Sequence, residues 1–100
     1  MTITRTQDGT TLTLALNGRL DTTTAPQLQE VLLPAFDGSG TVKLDFSELA
    51  YISSAGLRVL LLAQKTAKAK SASFQIGGVS PDVMEVLEMT GFSDILTIVP

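Results

Sequence analysis

Two adjacent serines and two small residues, Ser53-Ser54-Ala55-Gly56, stand where an apolar, strand-like run hands over to an apolar helical pattern in "DFSELAYISSAGLRVLLLAQ". A hydroxyl at such a junction has three chemical uses: nucleophile, helix cap, or acceptor of a phosphoryl group. The first lacks its usual base. The chain contains no histidine and no cysteine, which excludes a Ser-His-Asp triad, a thiolate nucleophile and zinc sites built on those residues. Neither G-x-S-x-G nor a serine three residues ahead of a lysine occurs. No enzyme is expected, and no metal or cofactor.

The two remaining uses share one geometry. Serine is a favoured N-cap, because its oxygen accepts from a free N–H of the first turn. Those N–H groups, around Gly56, Leu57 and Arg58, point outward without intrahelical partners, and with the helix dipole they favour an anion. A phosphate there adds a charge of about −1.5 to −2 and gains one to three charge-assisted hydrogen bonds. Arg58 either reaches back toward it or is a solvated surface residue. Ala55 and Gly56 are small, so a partner can approach the hydroxyl.

Asp21 is the other residue of interest, following "NGRL" and preceding three threonines. Its commoner role is to cap or shape a turn; a part in the serine site requires proximity that spacing alone does not give. Asp45 and Ser47 are expected to shape the turn after their strand, and Tyr51 to be partly buried. Gly77-Gly78 lacks the phosphate-loop pattern.

The elements that must position these residues follow from periodicity. "ITRTQDGTTLTLALNGRL" reads as a hairpin turning at Asp8-Gly9, with Leu12, Leu14 and Leu16 on one face and an interruption at Asn17-Gly18. In "TAPQLQEVLLPAF", Thr24 and Gln27 have capping-box spacing and Pro26 suits a first turn. Ala25, Leu28, Val31, Leu32 and Phe36 make its buried stripe. Pro34 should end or kink that helix. Thr41 to Phe46 alternates as a strand, a second helix runs from Gly56, and "SASFQIGG" is a short strand. Ser80-Pro81 opens a third helix that Gly91 closes, and "DILTIV" is a last strand. Strands alternating with helices imply parallel pairing after an antiparallel start, and a mixed sheet with helices on at least one face.

Composition limits the partners. One hundred residues, 44% hydrophobic and 17% charged, suit one domain with one core. The net charge of −3, with no basic run, argues against nucleic acid; Lys65, Lys68 and Lys70 read as a solvated helix edge. The longest apolar run, Val59 to Ala63, is far below the roughly 18 residues of a membrane span. A cytoplasmic location is expected, without direct membrane insertion.

With "GRLDTTTAP", "LDFSELAYISSAGLRVLL" and "GGVSPDVMEVLEMTGF" in view, the chain resembles the STAS domain family, and more closely its stand-alone bacterial anti-sigma factor antagonists, over nearly its whole length. The resemblance implies an α/β STAS-like single domain over residues 1–100. That fold has a mixed four- to five-stranded sheet, an N-terminal antiparallel hairpin and three to four helices packed on it. It further implies a switch: the unmodified protein binds an anti-sigma factor that is also a serine kinase, and phosphorylation of a serine at a helix start releases it. A serine phosphatase reverses the step.

The family's phosphoacceptor falls on Ser54, with Ser53 a minor candidate, and the aspartate of G-x-L-D falls on Asp21. The implied partner-binding surface gathers Asp21, Thr22, Ser53, Ser54, Ala55, Gly56 and Arg58. Typical members carry Asp-Ser-(Ser/Thr)-Gly, so Ser53 and Ala55 here remove a negative charge before the acceptor and a competing hydroxyl after it. The alternative job for the same fold is a STAS regulatory subunit or small-ligand sensor, for example of a transport complex, in which Ser54 takes no phosphate.

Overall fold

A computed structural model describes all 100 residues. Strands β1 (Thr2–Asp8) and β2 (Thr11–Leu20) form the opening hairpin. Then follow α1 (Ala25–Ala35), β3 (Thr41–Ile52), α2 (Ser54–Ala69), β4 (Ser73–Gly77) and α3 (Pro81–Met89). A 3-10 turn (Phe92–Asp94) and the short β5 (Thr97–Ile98) complete the chain. The five strands lie side by side in sequence order; β1 pairs antiparallel with β2 and every later pair is parallel. The chain thus has the expected mixed α/β architecture.

Alternation decides which face is covered. Leu12, Leu14, Leu16, Val42, Leu44, Phe46, Phe74 and Ile76 are buried, while Thr11, Thr13, Thr41, Lys43, Asp45 and Gln75 between them are only half-buried. The three parallel crossovers all step the same way across the sheet, and right-handed connections then put every helix on one side. Leu28 and Leu32 of α1, Leu57, Leu60 and Ala63 of α2, and Val83 and Leu87 of α3 close one apolar layer against the sheet. The opposite face stays polar and open.

Several local expectations shift. The hairpin loop is Gly9-Thr10, one residue later than expected, closed by the Asp8–Thr11 pair. Asn17-Gly18 does not end β2, and β3 does not stop at Phe46. Both strands continue through register shifts between Ala15 and Asn17 and between Gly18 and Arg19, the extra residues being absorbed as bulges. Asp45 therefore lies within the strand, where its Oδ1 accepts from the Ser47 N–H at 3.0 Å and the Ser47 hydroxyl at 2.7 Å. Helix α1 carries Pro34 through to Ala35, because a proline one residue from the end costs only a hydrogen bond at a fraying turn.

The capping box of α1 also fails to form. Thr24 gives no side-chain cap, and Gln27 Nε2 donates instead to the Met1 carbonyl at 3.0 Å. The lysine edge does lie in solvent, with Lys70 paired to Asp37.

Candidate functional site

Strands β2 and β3 are parallel, so their carboxyl ends deliver two loops to the same edge. Leu20 pairs with Ile52, and the Ser53 N–H donates to the Leu20 carbonyl at 2.9 Å. Asp21 and Ser54 each lie one residue beyond that link. Backbone pairing brings the aspartate and the serines to one end of the molecule, which spacing alone could not establish.

The two serines divide the roles. Ser53 has extended backbone (φ −99°, ψ 174°), is half-buried and caps α2: its oxygen accepts from the Gly56 N–H at 3.3 Å. Its carbonyl takes the Leu57 N–H at 2.9 Å. Ser54 is the first helical residue and is exposed, making no hydrogen bond through its hydroxyl. The helix starts two residues earlier than Gly56. In consequence the Gly56 and Leu57 amides, expected to be free, are occupied, and the unpartnered amides at the helix start are those of Ser54 and Ala55.

Gly56 has a different reason to be small than the one expected. It is buried, and a Cβ on it would come within 2.7 Å of Leu20 Cγ and 3.0 Å of Ile52 Cγ1. The first turn of α2 lies directly on the ends of β2 and β3, and only glycine admits that approach. Gly56 therefore places Ser54 rather than touching a partner itself.

Around this turn, α1 and α2 leave a shallow groove of about 280 Å³. Thr22, Ala25 and Pro26 line it from one side and Ala55, Arg58 and Leu62 from the other. Arg58 is exposed, as is Leu62 at 38%. Thr22, Ala55 and Arg58, three of the residues singled out from sequence, share this surface.

Asp21 behaves first as a loop-shaping residue. Its Oδ1 accepts from the Thr23 N–H (3.0 Å), the Thr23 hydroxyl (2.7 Å) and the Thr24 N–H (3.1 Å). The Thr23 hydroxyl, ahead of the opposing desolvation and the backbone N–H groups, holds the Asp21 carboxyl below its ordinary pKa. Thr24 locks the same loop by donating to the Arg19 carbonyl and accepting from the Asp21 N–H, both at 2.8 Å.

Sequence reasoning passed over Arg19 and mis-set Tyr51. The two are partners across β2 and β3, with the Arg19 guanidinium carbon 4.2 Å from the Tyr51 ring centroid. Tyr51, expected to be partly buried, is 40% exposed, and its ring lies under the Arg19 guanidinium. The signal available was register: once "GRLD" and "AYIS" are laid side by side, arginine meets tyrosine.

Comparison with known proteins places this geometry in context. Residues 3–100 match a family model described as Mlab, STAS domain. The chain is 38% identical over 88 residues, 87% of its own length and 76% of the relative's, to a protein of Bordetella bronchiseptica named as a candidate anti-sigma factor antagonist, BtrV. It is 33% identical over 82 residues to the anti-sigma-B factor antagonist of Listeria monocytogenes, covering 81% of this chain and 72% of that one. A crystal structure of a candidate anti-sigma factor antagonist from Thermotoga maritima superposes with a TM-score of 0.89 at 20% identity, over 96% of this chain and 84% of that one. This last likeness concerns the fold.

Proposed function

The chain belongs to the STAS domain family, and from that premise we propose that it is an anti-sigma factor antagonist switched by phosphorylation of Ser54. Unmodified, it docks on an anti-sigma factor with serine-kinase activity through the end of the molecule where α1 and α2 begin. Phosphorylated, it is released, and a serine phosphatase restores it. The protein acts by contact and performs no chemistry of its own.

One observation carries this reading: the cap of α2 is supplied by Ser53, which leaves the Ser54 hydroxyl exposed and unbonded, next in sequence to Ala55 of the groove. Modification of Ser54 therefore breaks no structural hydrogen bond. The free amides of Ser54 and Ala55 and the positive end of the helix dipole stabilise the phosphate, so the fold survives the change. Arg58, one turn further along α2, lines the groove. Docking is another matter. A charge of about −1.5 to −2 at the centre of a contact surface must be desolvated against the partner, and a penalty of about 1.4 kcal/mol already costs a factor of ten in affinity.

The test is a titration of Ser54→Asp and Ser54→Ala against the purified kinase-type anti-sigma factor of the same organism. Ser54→Ala is expected to bind as the unmodified protein does and to stay bound with ATP present; Ser54→Asp is expected to bind about tenfold or more weakly. Equal affinities of the two variants refute the switch. Incubating the wild type with kinase and ATP should add the mass of one phosphoryl group, mapping to Ser54 rather than Ser53.

A further inference from the structure

Arg19 and Tyr51 flank residues whose side chains are buried toward the helices, Leu20 and Ile52, so both point to the open face of the sheet. They sit at the end from which Asp21, Ser53 and Ser54 emerge. The Arg19 side chain is 61% exposed although its guanidinium carbon rests over the Tyr51 ring, 4.2 Å from the centroid. Its acidic neighbour makes only a loose ion pair with it: Asp21 Oδ1 is taken by Thr23 and Thr24, and Oδ2 lies 4.0 Å from Arg19 Nε. That separation is beyond hydrogen-bond reach. In a chain of net charge −3, this edge thus presents a guanidinium seated on an aromatic ring, its N–H donors making no hydrogen bond within the chain.

We infer that Arg19, held on Tyr51, is a specificity-determining anchor of the docking surface and receives a carboxylate side chain of the partner protein. The inference rests on the function proposed above and adds the partner's chemistry at one point. A planar guanidinium recognises a carboxylate through two parallel hydrogen bonds. Stacking on Tyr51 already restricts the arginine's rotamers, so less freedom is lost when the contact forms. Arginine and tyrosine are also the residue types over-represented where alanine substitution costs most binding.

The experiment titrates wild type, Arg19→Lys and Arg19→Glu against the same purified kinase-type anti-sigma factor at low and physiological salt, with circular dichroism melts of each variant. Arg19→Glu is expected to bind at least about tenfold more weakly, with a flatter salt dependence than wild type, and Arg19→Lys to fall between them. Reversing one acidic residue on the partner's docking face to arginine should restore Arg19→Glu. If the pair serves only the fold, Arg19→Glu lowers the melting temperature and leaves affinity unchanged, which overturns the inference while the Ser54 switch stands. Failure of the wild type to form any complex overturns the proposed function and this inference with it.

Discussion

At the scale of single residues, two neighbouring hydroxyls have opposite obligations. Removing the cap with Ser53→Ala leaves the Gly56 amide without its acceptor and should destabilise the protein by about 1 kcal/mol. Ser54→Ala deletes an exposed, unbonded hydroxyl and should stay within about 0.5 kcal/mol of wild type. Urea unfolding of both variants checks this, and equal losses would mean the cap has been assigned to the wrong serine. Two carboxyls contribute to the acid behaviour. Thr23 at Asp21 and Ser47 at Asp45 hold them below their ordinary pKa values in the folded state. The unfolded chain therefore binds more protons in the acid range, so this stabilisation is present above about pH 3.9 and is lost as pH falls through the folded-state values. Asp21→Asn combined with Asp45→Asn should flatten the decline of stability with falling pH below about 4; an unchanged slope would show that other carboxylates govern it.

At the scale of elements, the arrangement depends on how closely the first turn of α2 and the turn before α3 approach the sheet. A Cβ at position 56 meets Leu20, which is fully buried and has nowhere to move. Gly56→Ala should thus cost about 1–3 kcal/mol and displace Ser54, read out as a lower denaturant midpoint together with weaker partner binding. Gly78 combines a φ of +67° with a Cβ position 2.8 Å from Asp45 Oδ1 and 3.0 Å from the Ser47 N. Gly78→Ala should therefore cost about 2 kcal/mol or more. These two glycines also mark what sequence could convey. Leucine alternation in β2, the stripe of α1 and the serine caps of α2 and α3 are local signals, and the structure has them. Asn17-Gly18 and Ser47-Glu48 look like strand ends because turn-forming residues and bulges share a composition; only the pairing partner distinguishes them. The Arg19–Tyr51 stack and the steric demand on Gly56 are likewise long-range facts, set by the register of β2 against β3 and by the helix laid over it. The failed capping box of α1 is a case of tertiary context overriding a local preference, since Gln27 is drawn to Met1.

At the scale of the whole molecule, one apolar layer lies between a sheet and helices confined to one side of it. Phe46 is fully buried at the middle of that layer. Phe46→Ala should cost about 3–5 kcal/mol, a large share of the roughly 5–15 kcal/mol that holds a domain together. The expected fall in Tm is at least about 12 °C by calorimetry. A fall of a few degrees would mean that the layer repacks.

The strand order has a further consequence for how the protein is made. No strand waits for a neighbour encoded later than the next one along, so a nascent chain leaving the ribosome can add each strand to a template already present. The end of the molecule proposed above as the docking surface is encoded entirely by residues through Ala69. Synthesis of the last third then adds β4, α3 and β5, which complete the far side of the sheet and of the apolar layer.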